Sequence, residues 1–207
     1  MTSRAAGRLV ALEGVDGCGK STQAARLAQV LDALLTHEPG ATALGRALRT
    51  LLLDPSVASA PGPRTEALLM AADRAQHVDE VVRPALDAGR WVVTDRYSGS
   101  TLAYQGWGRR LPVEALREVV GFASGGVEAD LSVLVDVPLE VARRRLAGAR
   151  PDRLESLDPG FHGRVREGYL ELARGEPDRW VVVDGTGSVD DVAKAVESAV
   201  RERVGAP

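Results

Sequence analysis

Leu9-Val10-Ala11-Leu12-Glu13-Gly14-Val15-Asp16-Gly17-Cys18-Gly19-Lys20-Ser21 decides how the rest of this chain is read. Residues Gly14 to Ser21 satisfy G-x-x-x-x-G-K-[ST] at every fixed position. The five residues before them form an apolar run suited to a buried strand. After them, Ala25, Leu27, Ala28, Val30, Leu31 and Leu34 recur at helical spacing, which predicts a helix from Thr22 to Leu34. Strand, glycine-rich turn and helix is the context in which successive backbone N–H groups and a helix N-terminus surround phosphate oxygens. In that setting Gly14, Val15, Asp16, Gly17, Cys18, Gly19 and Thr22 form the cradle. Lys20 supplies a point charge to the β- and γ-phosphates of a nucleoside triphosphate, and the Ser21 hydroxyl reaches Mg²⁺. Of the 26 basic side chains only Lys20 and Lys194 are lysines. A chain so biased towards arginine keeps a compact, flexible ammonium where such a loop needs one.

Composition narrows the remaining classes. A length of 207 residues suits one α/β domain, 1–207, with a sizeable core and a small mobile insert. A net charge of −3, with acids and bases interspersed, lacks the basic footprint of a nucleic-acid binder. Cys18 is the sole cysteine, which excludes an intrachain disulfide and suits a reducing cytoplasm. No apolar run is long enough to span a bilayer, and Met1 to Arg8 reads as a short polar lead-in. Histidines at 37, 77 and 162 with one cysteine give no zinc constellation.

Five apolar strands are expected: Leu9–Glu13, a very short Leu34–Thr36, Trp91–Thr94, Leu131–Val135 and Trp180–Val183. Helical patterns separate them: Leu44–Leu53, a long one over Arg64–Ala88, Pro112–Phe122, Leu139–Leu146, 159–174 and Val189–Val204. Asp54 to Pro63, with three prolines, reads as a surface loop. Strands alternating with helices predict a parallel five-stranded sheet covered on both faces, the three-layer arrangement of P-loop NTPases. Ligands bind beyond the carboxyl ends of such strands, so Glu13, Asp16, His37, Asp95, Arg96 and Asp136 are the strand-end residues to weigh. Asp95 is placed to orient Mg²⁺, and Arg96 to clamp a second phosphate bidentately. A bare Asp-Arg pair is more often an ordinary strand-end ion pair. The neighbouring Ser98-Gly99-Ser100-Thr101-Leu102-Ala103-Tyr104-Gln105-Gly106, rich in groups that hydrogen-bond a heterocycle or sugar, shifts the weight towards a site.

With these stretches quoted, the chain resembles the thymidylate kinase family of nucleoside-monophosphate kinases. The resemblance rests on the glycine-rich loop, Glu38-Pro39-Gly40, Met70-Ala71-Ala72-Asp73-Arg74-Ala75-Gln76-His77, Asp95-Arg96-Tyr97 through Ala103-Tyr104-Gln105-Gly106, and Asp152-Arg153 with Phe161 and Tyr169. It implies ATP as donor, dTMP as acceptor, Mg²⁺ and a homodimer. It implies that Asp16 meets the sugar or phosphate region of dTMP, and that Arg96 holds its phosphate. Arg74, Ser100 and Thr101 would read thymine, Tyr104 would lie beneath the sugar where a 2′-hydroxyl would crowd, and Gln105 would join the substrate-binding set. Pro39, Leu52 and Met70 would line the base pocket, and Tyr169 would pack near the sugar. Arg150 and Arg153, in a lid of about 147–156, would close over ATP and neutralise the transferring phosphoryl group. One arginine of the run Arg143-Arg144-Arg145, with Arg143 and Arg144 the first candidates, would stack on adenine. His37, Ala41 and Met70 stand where the family usually carries arginine, glycine and phenylalanine. A kinase of the same fold for another pyrimidine monophosphate, and a non-catalytic nucleotide-binding switch, therefore stay open at this point.

Overall fold

A computed structural model of the chain describes residues 7–57, 59–148 and 150–205. Its centre is β1 (Leu9–Glu13), with Leu9 to Leu12 fully buried. A strand covered on both faces and paired on both edges tolerates no polar alternation, hence the continuous apolar run. β3 (Val92–Asp95) pairs with β1 on one side and β4 (Leu131–Asp136) on the other. β2 (Leu34–His37) and β5 (Trp180–Asp184) form the edges, giving the all-parallel order β2-β3-β1-β4-β5. The connection from β1 runs to β2 on one side and that from β3 runs across β1 to β4 on the other, and this reversal opens a crevice at the carboxyl ends of β1 and β3.

α1 (Lys20–Val30) starts at the motif lysine and ends four residues before the expected Leu34. Asp32, in the left-handed region at φ 49°, turns the chain, and Leu34 is taken into β2. α2 (Ala43–Leu53) is capped by Thr42, whose hydroxyl accepts the Gly45 N–H. The long helical stretch is not one helix. α3 (Pro63–His77) passes through a π-helical turn, Val78–Val82, into α4 (Arg83–Asp87). Pro84 has no N–H to donate back to Glu80, and its ring would crowd that carbonyl; the wider turn removes the clash.

Residues 98–108, to which the sequence pattern assigns no element, are helical. They form a short helix, α5 (Ser98–Thr101), continuing as π-helix over Leu102–Gly108. Three glycines disguise it in the sequence. Two of them let an aromatic ring approach the backbone: a Cβ on Gly99 would lie 2.5 Å from the Trp180 ring, and one on Gly108 would lie 2.6 Å from Phe161, whereas Gly106 faces Val113 and Leu116. α6 (Val113–Ser124), α7 (Leu139–Leu146), α8 (Pro159–Gly175) and α9 (Val189–Val204) complete the layers. Ala149 of the expected lid, Ala58 of the surface loop and Met1 to Ala6 of the lead-in lie outside the described residues. Among the described residues no helix is long and apolar enough to cross a membrane.

Candidate active site

A cleft of about 520 Å³ opens at the carboxyl end of the sheet, with the glycine-rich loop as one wall and the ends of β2 and β3, α3 and α5 as the other. Gly14, Gly17 and Gly19 all take φ between 81° and 145°. At Gly17 the requirement is doubled, because a Cβ would also lie 2.5 Å from the Ala142 carbonyl of α7. Lys20 is buried, with Nζ 3.3 Å from the Val15 carbonyl and 3.4 Å from Asp16 Oδ1, and it lines the cleft with Asp16, Gly17 and Ser21. Val15 and Cys18 are buried behind the loop, and Thr22 is exposed on the first turn of α1, outside the cleft. Burial pushes the Cys18 thiol up, so it is no reactive thiolate.

Arg96 faces the loop from the opposite wall. Its backbone sits at φ 74°, a left-handed conformation that costs a non-glycine residue energy and turns the side chain towards the loop. Nη2 pairs with Asp16 Oδ1 and donates to Tyr104 Oη at 3.1 Å. Nη1 donates to the Gly14 carbonyl, Ser100 Oγ and Tyr169 Oη, at 3.1, 3.0 and 3.1 Å. Burial by itself would raise the Asp16 carboxyl. Arg96, Lys20 and the Tyr104 hydroxyl outweigh it and hold the group well below the usual carboxylate range. Asp16 is thus an anion between two cations, one belonging to each half of the cleft.

α3 presents Met70, Asp73 and Arg74 to the far end of the cleft. Arg74 donates Nε to Glu38 Oε2 at 3.0 Å and Nη2 to the Tyr97 carbonyl at 2.9 Å, while its buried Nη1 has no protein partner. Glu38 Oε1 meets His77 Nδ1 at 2.9 Å, and His77 Nε2 meets Thr36 Oγ1 at 2.7 Å. Asp73 Oδ1 accepts the Gly40 N–H at 2.9 Å. Burial first, and then Glu38, raise its carboxyl to about 6. Pro39, Thr101 and Gln105 line the same end, Gln105 donating Nε2 to Glu66 Oε1 at 3.0 Å.

Several expected residues stand elsewhere. Leu52 is buried on the inner face of α2 and does not line the cleft; Leu53, one helical step round, does. Tyr169 is fully buried behind Arg96 rather than open to the cleft, and the Ser100 hydroxyl is engaged by Glu13, Arg96 and Tyr169. Neither Arg150 nor Arg153 reaches the cleft. Arg153 donates its N–H to the Leu53 carbonyl at 3.0 Å and Nη2 to the Asp54 carbonyl at 2.9 Å, and Arg150 is exposed beside Pro55. The cause is a tight turn in which Asp152 Oδ1 accepts the Glu155 N–H and Glu155 Oε2 accepts the Asp152 N–H. That turn points Asp152, Leu154 and Glu155 at the cleft instead. On α7, Arg143, Arg144 and Arg145 are all exposed, and of the three Arg145 donates to the Cys18 and Gly185 carbonyls, at 3.0 and 2.8 Å. Ala142 and Leu146 pack on the loop at Gly17, and position 145 shares that helical face. Asp136 at the end of β4 is held bidentately by Arg166 of α8, at 2.8 and 2.7 Å, and is an internal ion pair.

Arg49 belongs to the site without any mark in the sequence. It projects from α2 into the cleft, donates Nη1 to the Pro39 carbonyl at 2.8 Å, and helps burial depress the imidazole of His37 at the rim. Arginine at that spacing on an amphipathic helix carries no local signal; only the packing of α2 against α3 aims it.

The residues present suit a divalent cation of the Mg²⁺ type. Asp95 Oδ1 is buried without a hydrogen-bond partner, and both Asp95 and Ser21 line the cleft. No group of three or more His, Cys, Asp or Glu able to hold a metal occurs among the described residues. Two hard oxygen donors completed by substrate phosphates are the usual arrangement for Mg²⁺.

A glycine-rich loop with a buried lysine, faced by a half-buried arginine across one cleft that runs on to the Met70 end of α3, is the architecture of a P-loop phosphotransferase. Comparison with known proteins makes this specific. A family model described as thymidylate kinase matches residues 12–196. The thymidylate kinase of Synechococcus sp. (strain CC9311) is 42% identical over 210 residues, covering 97% of this chain and 98% of that protein. That of Bifidobacterium longum (strain DJO10A) is 45% identical over 203 residues, covering 95% and 98%. The crystal structure of thymidylate kinase from Ehrlichia chaffeensis superposes with a TM-score of 0.76 at 26% identity, over 94% of this chain and 99% of that one. The chain belongs to the thymidylate kinase family.

Proposed function

We propose that this protein transfers the γ-phosphoryl group of ATP to dTMP, releasing ADP and dTDP. The observation that carries the reading is the meeting of two phosphate sites across one cleft, the Lys20 loop and the Arg96 clamp, joined through Asp16. Family membership at more than 40% identity over nearly the whole chain supports dTMP as the acceptor. The triphosphate lies along the loop, its γ-phosphoryl towards Lys20. The dTMP phosphate takes the place of Asp16 on Arg96 Nη2, with Arg49 beside it, and Asp16 turns to the sugar hydroxyl. Met70, Pro39 and Leu53 enclose the base, and Arg74 Nη1 and Thr101 supply polar contacts at its edge. Tyr104 lies under the sugar where a 2′-hydroxyl would crowd.

Charge dictates the rest. The acceptor phosphate is already ionised, so its oxygen attacks in line without a general base. Negative charge stays on the equatorial oxygens throughout, and Lys20 and Arg96 are fixed where it lies before the reaction begins. Mg²⁺ held by Ser21 and Asp95 would neutralise β- and γ-oxygens. The arginine burden assigned in the sequence to Arg150 and Arg153 falls on Arg96 and Arg49 in this conformation. Arg145, against the Cys18 and Gly185 carbonyls, is the member of its run beside the donor end.

We further propose that the chain forms a homodimer through α2, α3 and α6. These helices pack side by side and carry Leu44, Leu51, Leu68 and Phe122, which are 50, 47, 60 and 90% exposed. A free, buried cysteine suits a reducing cytoplasm.

The decisive assay measures ADP release with ATP and a panel of nucleoside monophosphates. The expected outcome is a clear preference for dTMP. Preference for dUMP, dCMP or another nucleotide would overturn the acceptor, and ATP binding with no transfer to any monophosphate would overturn the enzymatic reading.

A further inference from the structure

Glu13 ends β1 one residue before the glycine-rich loop, is fully buried, and does not line the cleft. A buried carboxylate is costly unless its lone pairs are met, and here four donors meet them. Oε1 accepts the backbone N–H groups of Tyr97 and Ser100 at 3.0 and 3.1 Å. Oε2 accepts the hydroxyls of Ser100 and Tyr169 at 2.6 and 3.2 Å. Those two hydroxyl oxygens are also acceptors for Arg96 Nη1, at 3.0 and 3.1 Å. The guanidinium therefore has two edges with different duties. Its inner edge is tied through two hydroxyls to Glu13, and its outer edge, Nη2, meets Asp16 and Tyr104 on the cleft side.

We propose that Glu13 is the positioning residue for the acceptor phosphate, holding Arg96 in register through the Ser100 and Tyr169 hydroxyls. This rests on the reading of Arg96 as the phosphate clamp. Burial raises the Glu13 carboxyl, and the Ser100 hydroxyl, Arg96 and the Tyr97 N–H act against that. With its lone pairs met by four donors, the carboxylate takes the Ser100 hydrogen and leaves oxygen lone pairs for Arg96. When a phosphate displaces Asp16 from the outer edge, the inner edge stays tied, and the arginine's strained backbone is not free to relax. On the donor half this network touches only the Gly14 carbonyl, which Arg96 Nη1 meets at 3.1 Å, while Lys20 and Ser21 take no part in it. Glu13 thus acts chiefly on the acceptor site.

Glu13→Gln tests the idea with little change of shape. The amide oxygen still takes the two backbone N–H groups, but its NH₂ competes with Arg96 for the Ser100 lone pairs. With the full-length protein, dTMP binding by calorimetry without ATP, both KM values and the melting temperature are measured. The dTMP dissociation constant and KM are expected to rise about tenfold, the loss of one charge-assisted hydrogen bond, with the ATP KM changed by less than about twofold. In a Ser100→Ala/Tyr169→Phe background the same substitution is expected to add less than about twofold, because the relay is already cut. Equal rises for both nucleotides, full additivity in that background, or unchanged dTMP binding would overturn the proposal. If Glu13→Gln does not melt cooperatively, the separate Ser100→Ala and Tyr169→Phe variants decide. Each must weaken dTMP alone, and unchanged binding in both refutes the relay. Should the wild type prefer another monophosphate, the dTMP reading falls while Glu13 is judged by the same selective shift on that acceptor.

Discussion

At the scale of single residues the two walls of the cleft separate by what their removal does. Lys20→Ala takes away a charge used most in the transition state, so kcat should fall about a thousandfold while dTMP binding persists. Arg96→Ala should raise the KM for dTMP about a hundredfold and lower kcat further, because a bidentate clamp is lost from ground and transition state alike. Steady-state kinetics on both variants checks the pair; equal, small effects would show that the cleft is not the active site. Asp73 makes a prediction about pH. Its carboxyl is raised from 3.8 to about 6 by burial and by Glu38. Between those values the unfolded chain has released the proton and the folded chain keeps it, so the stability contributed by protonated Asp73 is lost as pH rises through that window. Asp73→Asn keeps an acceptor for the Gly40 N–H without the charge. Its melting temperature relative to wild type should improve from pH 4 to pH 7 and level off above, as read by thermal melts across pH.

At the scale of elements, the segment 98–108 governs the acceptor side and depends on close packing with α8. A Cβ on Gly168 would lie 2.8 Å from the ring of the half-buried Trp107, so the indole must shift to admit it. Gly168→Ala should cost about 1–3 kcal/mol through overpacking. In a domain of this size that lowers the melting temperature by about 2–4 °C per kcal/mol, measurable by calorimetry. Since Tyr169 follows directly and touches Arg96, the KM for dTMP should rise in the same variant. Its helical character is not legible in the sequence, because three glycines break any apolar periodicity. In the fold they are contact residues, Gly99 and Gly108 against aromatic rings and Gly106 against Val113 and Leu116.

At the scale of the molecule, the proposed dimer face is a band of exposed leucines and Phe122 across α2, α3 and α6. Leu68→Arg with Phe122→Glu should halve the sedimentation mass without unfolding the chain. It should also remove any dependence of the melting temperature on protein concentration. A wild type that sediments as a monomer at every concentration would leave these side chains as ordinary exposed apolar surface. Because α2 carries Arg49 on its cleft side and Leu44 and Leu51 on its outer side, the double variant is also expected to weaken dTMP more than ATP.

The sequence by itself determined the sheet, the loop and the side of the sheet on which ligands lie. Those are local properties: an apolar run long enough for a buried strand, glycines at the positions of positive φ, and a lysine at the start of the helix. It also determined the family, because Asp95-Arg96-Tyr97 and Met70 to His77 are contiguous strings whose chemistry is readable one after another. Only the tertiary structure decided which arginines serve the cleft. Arg49 and Arg96 face it, Arg150 and Arg153 are turned away by the Asp152–Glu155 turn, and Arg145 rather than Arg143 or Arg144 lies against the loop. Glu13, Ser100 and Tyr169 likewise became one network only on folding. Direction is the physical reason. A side chain's identity is local, but the face it presents depends on helix phase, on turns closed by distant partners and on the packing of elements far apart in the chain.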